Sequence, residues 1–314
     1  MGLGAGTIEL YRQLKITGAL DGITEVMELG SQDYWCPQDN LMRALFKSFG
    51  ADAPLEVFGA TPQQQKPAQL VYEALGIKYK CVDVDGRDGT LVMDLNFDTV
   101  PEDQLSRYGL VTNHGTTEHL MNQSNAFQVV HDFTKPGGLM LHAVPFMGYV
   151  EHGFFSYHPN LFQALARYNS YEIVGMWIGP TMFAPQLVPW DISILDALAL
   201  TPRSAVLLVV VLRKISNAQF FCPFQGVYEE SAPDRVLTRY CMTVDGEVMD
   251  ANRVRHLIRR GEIKEAWAPP EIKEAWAPPS GTYALLRQSA GKELVQELVF
   301  RVQRRLKLFF RKSK

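Results

Sequence analysis

ITEVMELG at 23–30 and KYKCVDVDG at 78–86 are the two segments on which the fold turns. Each is a short β-prone run that ends in a glycine, the pattern of a strand feeding a loop. Between them lie helix patterns at 38–49 and 67–75, the second stopped by Gly76. Strand, helix, strand is the opening of a parallel sheet. Outward from that core the alternation continues. TLVMD at 90–94 and GLVT at 109–112 read as strands, 118–133 as a helix with Leu120, Phe127 and Val130 at helical intervals, and KPGG at 135–138 as a turn into the strand LMLHAVPF at 139–146. A helix over 159–167 leads to the strand YEIVGMWI at 171–178. Only irregular chain then separates it from the strand at 205–213, so these last two read as antiparallel neighbours. The expectation is an α/β fold of seven strands, six parallel and one reversed.

Of the 314 residues, 46% are apolar and 21% charged, enough apolar material for a large core, which excludes a disordered or fibrous chain. The longest aliphatic run, AVLLVVVL at 205–212, is far short of the roughly 20 residues of a membrane-spanning helix. The first twenty residues show no secretory pattern, and the start MGLGAGT lacks the Ser or Thr that myristoylation needs, so the expected compartment is the cytoplasm. Cys36, Cys81, Cys222 and Cys241 stand apart without a CxxC pair and read as reduced, mostly buried thiols.

In an open, mostly parallel sheet, ligands bind beyond the carboxyl ends of the strands. Those ends are polar here: ELGSQDY at 28–34, DVDG at 83–86, DLN at 94–96 and TNHGTTEH at 112–119. Acids closing three consecutive strands suit a ligand that is cationic or rich in hydroxyl and amino donors, and suit a phosphate chain poorly. The glycine patterns of dinucleotide sites and P-loops are absent after strand one. Gly2, Gly4 and Gly6 precede a helix pattern at 7–16 with no strand before it, and read as a flexible terminus.

With these motifs the sequence resembles the class I S-adenosylmethionine-dependent methyltransferases over about residues 20–213. The resemblance implies a Rossmann-like seven-stranded, mostly parallel sheet with helices on both faces, followed by a C-terminal extension. It implies S-adenosylmethionine as cofactor, held by Glu28, Gly30 and Ser31 after strand one, by Asp83 on the ribose hydroxyls, by Asp94 and Leu95 at the adenine, and by Asn113. The ELG motif, the EH pair at 118–119 and PGG at 136–138 carry the likeness. Gln32 stands where the family commonly has a second glycine, and about 48 residues separate Gly30 from strand two, which points to a reshaped loop after strand one; Gly109 stands where the family often has an acid at the start of strand four, so no base is expected there. Read by themselves, Asp83 could also be a solvated strand end, Glu28 an organiser of its own loop, Asp94 a turn former, and Glu118 with His119 a helix cap. His114 and then His119 are the candidate catalytic bases, and His131 and His142 read as structural.

The implied activity is methyl transfer to a small-molecule, sugar-like acceptor. The alternatives are a non-catalytic S-adenosylmethionine-binding or partner-binding module, and a nicotinamide-dependent oxidoreductase. A lid is expected from the N-terminal segment 1–22, from HGFFSYH at 152–158 and from 181–191. The cofactor domain spans 23–214, an irregular extension 215–291, and a basic amphipathic helix 292–314. The nonapeptide EIKEAWAPP occurs at 262–270 and again at 271–279. Two copies cannot form a solenoid and read as a duplication in an exposed loop or a Pro-rich partner motif. The last fourteen residues hold seven cations and no acid, leaving an acidic body that would repel nucleic acid, whereas the tail would suit an anionic membrane surface. His114 and His119 lack the spacing of a helical zinc site, and no metal is expected.

Overall fold

The computed structural model describes residues 2–36, 38–54, 66–87, 89–180, 185–192 and 205–264. One sheet contains β1 (Glu25–Leu29), β2 (Lys78–Asp83), β3 (Thr90–Val92), β4 (Tyr108–Asn113), β5 (Thr134–Met147), β6 (Glu172–Gly179), β7 (Val188–Pro189) and β8 (Val206–Arg213). Their order across the sheet is β3-β2-β1-β4-β5-β8-β6-β7. Strands β1 to β5 pair in parallel, and β8 enters between β5 and β6 antiparallel to both. The expected frame of six parallel strands and one reversed is present. The short β7, antiparallel to β6, makes an eighth.

β8 shows why the sheet sits where it does. Leu207, Val209 and Val211 enter the core on one face, and Leu208, Val210 and Leu212 enter the core on the other. A strand with a two-residue side-chain period that is apolar from Val206 to Leu212 must be covered on both sides. One cover is made of α1 (Ala5–Ile16), α2 (Asp39–Ser48) and α3 (Gln69–Ala74), through residues such as Leu14, Phe46 and Val71. The other is made of α4 (Gln123–Phe133) and α5 (Pro159–Asn169), through Phe133, Phe162 and Leu165. No helix among the described residues is long and apolar enough to cross a membrane.

Four local expectations change. Gly2 and Leu3 are buried and pair in parallel with Asp33 and Tyr34, so the glycine-rich start is built into the fold. A Cβ on Gly2 would strike the Asp33 carbonyl, which is why a glycine serves there. The helix expected from residue 118 begins instead at Gln123. Asn96 Oδ1 accepts the Met121 and Asn122 amides, and Asn122 caps the helix by accepting the Asn125 amide, leaving 117–119 as a separate 3-10 turn. The segment 135–138 bulges within β5, because Tyr108 pairs with Thr134 while Leu110 pairs with Leu139. α1, expected as part of a lid, packs into the core through Ile8, Leu10 and Leu14.

Beyond β8 the described chain is more regular than its sequence suggests. β9 (Cys241–Val244) and β10 (Glu247–Asp250) form a hairpin, and Asp250 caps α6 (Ala251–Arg259) by accepting the Arg253 amide. Leu237, Met242 and Val254 form a small core with Tyr168 of α5, beside a buried Arg167–Glu229 ion pair at 2.6 Å. The remainder of the tandem nonapeptide and the basic helix expected at 292–314 lie outside the described residues. All four cysteines are free, Cys36 and Cys81 buried and Cys222 exposed.

Leu208 has no exposed surface, so Leu208→Ala should lower unfolding free energy by about 2–5 kcal/mol in urea titration. Val248→Ala on the exposed side of the hairpin should change it by less than about 0.5 kcal/mol. Similar losses from the two would contradict the assignment of β8 to the core.

Candidate functional site

The carboxyl ends of β1, β2, β3 and β4 frame a cleft of about 460 Å³. Its walls are Gly30 to Gln32, Asp83, Val84, Met93 to Asn96, Gly115, Thr116, His119 and Leu120. Of the residues singled out from sequence, Gly30, Ser31, Asp83, Asp94, Leu95 and His119 therefore come together, whereas Glu28, Asn113 and His114 lie outside the lining.

Each lining loop is held by side-chain to backbone bonds. Gly30 turns at φ +78°, and a Cβ there would lie 2.6 Å from both Gln32 Nε2 and Thr116 Oγ1. That space is used: Gln32 Nε2 donates to Thr116 Oγ1 at 2.9 Å and to the Leu29 carbonyl at 3.2 Å, and Thr116 Oγ1 donates to the same carbonyl at 2.6 Å. Gln32, which replaces a glycine of the resembled family, thus ties the loop after β1 to the loop after β4. Nothing in its sequence context signals this role, because the partner is eighty-four positions away. Asp83 receives the Ser31 amide on Oδ2 and the Val84 amide on Oδ1, both at 2.7 Å. A carboxylate has about four acceptor sites, so capacity remains toward the cleft. Arg87 bonds Asp85 at 2.8 Å and lies 3.7 Å from Asp33, strapping the first two loops together from outside. Asp94 lines the cleft and also closes a turn, its Oδ1 accepting the Asn96 amide at 2.9 Å.

The three residues outside the lining are placed by alternation along their strands. Asn113 faces the α4 side, where its Oδ1 accepts the Thr116 and Thr117 amides and shapes the loop after β4. His114 points to the opposite side and meets Tyr11 Oη at 3.0 Å. Burial pushes this imidazole down to about 3, which keeps it neutral. Glu28 lies fully buried on the same side and accepts the Tyr79 hydroxyl at 2.6 Å and, more weakly, the Tyr72 hydroxyl at 3.4 Å. Tyr72 in turn bonds Tyr11 at 2.7 Å, so a buried polar chain runs from His114 through two tyrosines to Glu28. His131 is bonded by Tyr171 and the Ala218 carbonyl, and His142 meets Asn113, as expected of structural histidines.

One group was not legible in the spacing. Against the expectation that no metal-ligating cluster forms, Glu118 and His119 of the 3-10 turn meet His152, from the loop after β5, with ligating atoms all within 4.8 Å of one another. The contact joins two loops that are distant in sequence, so local spacing could not show it.

No family model matches the sequence, and no curated protein matches it. Among solved structures, the chain is similar to a 1,6-didemethyltoxoflavin-N1-methyltransferase of Burkholderia thailandensis with bound S-adenosylhomocysteine, at 10% identity and a TM-score of 0.39, over 67% of this chain and 80% of that one. It is also similar to the O-methyltransferase of a trans-AT PKS multienzyme of Brevibacillus brevis in complex with S-adenosyl-L-homocysteine, at 12% identity and a TM-score of 0.38, over 67% and 73% of the two chains. A SAM-dependent methyltransferase of Archaeoglobus fulgidus aligns at 12% identity and a TM-score of 0.34, over 66% and 94%. At these levels the reading of the cleft rests on the residues of this chain.

The buried chain has a measurable consequence. Burial pushes the Glu28 carboxyl up to about 8 from its ordinary 4.5, outweighing the hydrogen bonds from Tyr79, Gln32 and Tyr72 that pull it down. The unfolded chain releases this proton first, so the contribution of Glu28 to stability falls as pH rises from about 4.5 to about 8 and is level beyond. Glu28→Gln is neutral throughout, so its stability relative to wild type should improve between about pH 5 and about pH 8.5 in paired urea titrations. A difference independent of pH would rule out a protonated buried carboxyl.

Proposed function

We propose that the cleft binds S-adenosylmethionine and that the protein transfers its methyl group to a small, hydroxyl-bearing acceptor of sugar-like chemistry. The observation that carries this reading is Asp83 at the rim of β2. Its carboxylate is oriented by two backbone amides, with acceptor capacity left over, above a cleft walled by Val84, Met93, Leu95 and Leu120. A carboxylate to accept the vicinal hydroxyls, beside apolar walls for a flat base, is the arrangement a nucleoside requires. The volume falls within the roughly 300–1,000 Å³ of small-molecule sites. Two carboxylates and no lysine or arginine line the cleft, which favours a cationic nucleoside over a dinucleotide.

When bound, the cofactor supplies an activated methyl group on a sulfonium. What remains for the protein is to align the acceptor and keep water out. The loops tied by Gln32, Thr116 and Asn113 give the rigid half of that alignment. His119 is the cleft residue placed at the acceptor side, and the 152–158 segment docks there through the Phe154 and Phe155 amides, both donated to the Glu118 carbonyl. His114 acts from behind the rim as a positioning residue for the loop after β4. In this reading residues 23–214 form the cofactor domain, and the chain beyond them braces α5.

Calorimetric titration of the full chain with S-adenosylhomocysteine tests the proposal. Asp83→Asn should weaken binding about tenfold or more, the cost of losing a charge-assisted hydrogen bond, while Asp103→Ala on the exposed turn before β4 should leave it unchanged. Heat released on adding a pyridine dinucleotide but not the sulfur nucleoside would overturn the proposal. Binding without methyl transfer to any component of a cell extract would favour the non-catalytic module.

A further inference from the structure

Burying a carboxylate costs several kcal/mol unless hydrogen bonds or an opposite charge compensate it. Glu118 has no exposed surface, and neither of its side-chain oxygens has a hydrogen-bond partner. What faces it is a pair of imidazoles. Oε1 lies 3.4 Å from His152 Nε2 and 3.9 Å from His119 Nε2, and the two rings stand 5.0 Å apart centre to centre. His152 Nε2 is itself buried and has no hydrogen bond. The Glu118 carboxylate and His152 Nε2 thus converge without a hydrogen bond between them or to any other group, whereas Asp83 and Asp94 in the neighbouring cleft each accept a backbone amide.

The approach is built into the backbone. The Phe154 amide donates to the Glu118 carbonyl at 2.7 Å and fixes the loop after β5 against the 3-10 turn. Gly153 makes this contact possible, since a Cβ there would fall 2.9 Å from both the Glu118 carbonyl oxygen and its Cγ. Tyr149 also packs against the His152 ring, at 5.4 Å between centres. His119 also lines the cleft, so the group opens onto it.

We propose that Glu118, His119 and His152 form a binding site for one divalent transition-metal ion. Two imidazoles and one carboxylate are the donor set that such ions take, leaving open coordination positions, and the same set suits magnesium or calcium poorly. Zinc bonds of about 2.0–2.2 Å to nitrogen and oxygen place tetrahedral donors about 3.4 Å apart. The Glu118–His152 pair already has that separation, and small rotations of the half-exposed His119 close the rest. Bound beside the cleft, the ion would supply Lewis-acid polarisation to an oxygen-bearing acceptor, a role that rests on the methyl-transfer reading; the site itself does not.

The test uses the full chain, stripped with a chelator and titrated with cobalt(II) in the absence of any nucleoside. Expected are visible d–d absorption bands saturating at one ion per chain, reversed by zinc, with a rise in melting temperature on saturation. His152→Ala and Glu118→Gln should each bind cobalt at least tenfold more weakly and lose the rise. Circular dichroism of the metal-free variants confirms that they fold. Should Glu118→Gln not fold, His152→Ala alone decides, because its side chain is partly exposed. Absence of the bands in wild type, or equal bands in folded His152→Ala, overturns the site. Calorimetry with S-adenosylhomocysteine on the same metal-free samples keeps failure of the metal site distinct from failure of the cofactor reading.

Discussion

A sheet containing an interior strand that is apolar at seven consecutive positions, Val206 to Leu212, has to be covered on both faces, and this constraint places everything else. With α1, α2 and α3 covering one side of β8 and its neighbours and α4 and α5 the other, the polar loops gather at the strand ends. The carboxyl ends of four adjacent strands, β3, β2, β1 and β4, therefore collect Asp94, Asp83, Gly30 and Thr116 within one cleft. The site is a consequence of burial elsewhere.

Polar loops at such an edge need fixing, because their backbone groups cannot join the ladder. The protein uses short side chains for this. Asn113, Asp83, Asp94, Asn96 and Asn122 each accept a nearby amide, and Gln32 with Thr116 closes the gap between the first and fourth loops. Several residues therefore serve twice, lining the cleft and closing a turn. Asp94 illustrates both functions at one position.

The sheet was legible because its signals are periodic and local: the continuous apolar run of β8, the glycines ending β1 and β2's loop, the helix patterns of α1, α2, α4 and α5. The cleft was legible in part for the same reason, since strand ends can be read once strands are. What the sequence concealed are contacts between distant segments. The pairing of Gly2 and Leu3 with Asp33 and Tyr34, the interruption of the 118–133 helix by Asn96, the inward turn of His114, and the meeting of Glu118 with His152 each depend on a partner that no local pattern announces.

Two buried glutamates show how the same residue type is put to opposite ends. Glu28, in β1, is surrounded by donors: the Tyr79 and Tyr72 hydroxyls and the Gln32 amide satisfy its oxygens, and Tyr11 extends the chain to His114. It is held protonated by burial and has nothing left to offer a ligand. Glu118, just after β4, is as deeply buried yet receives no such bonds, and the imidazoles of His119 and His152 face it. A fold that spends two tyrosines on satisfying one carboxylate could satisfy another by the same means. That it sets two histidines against Glu118 instead makes the cation, rather than the hydrogen bond, the natural partner of this second acid.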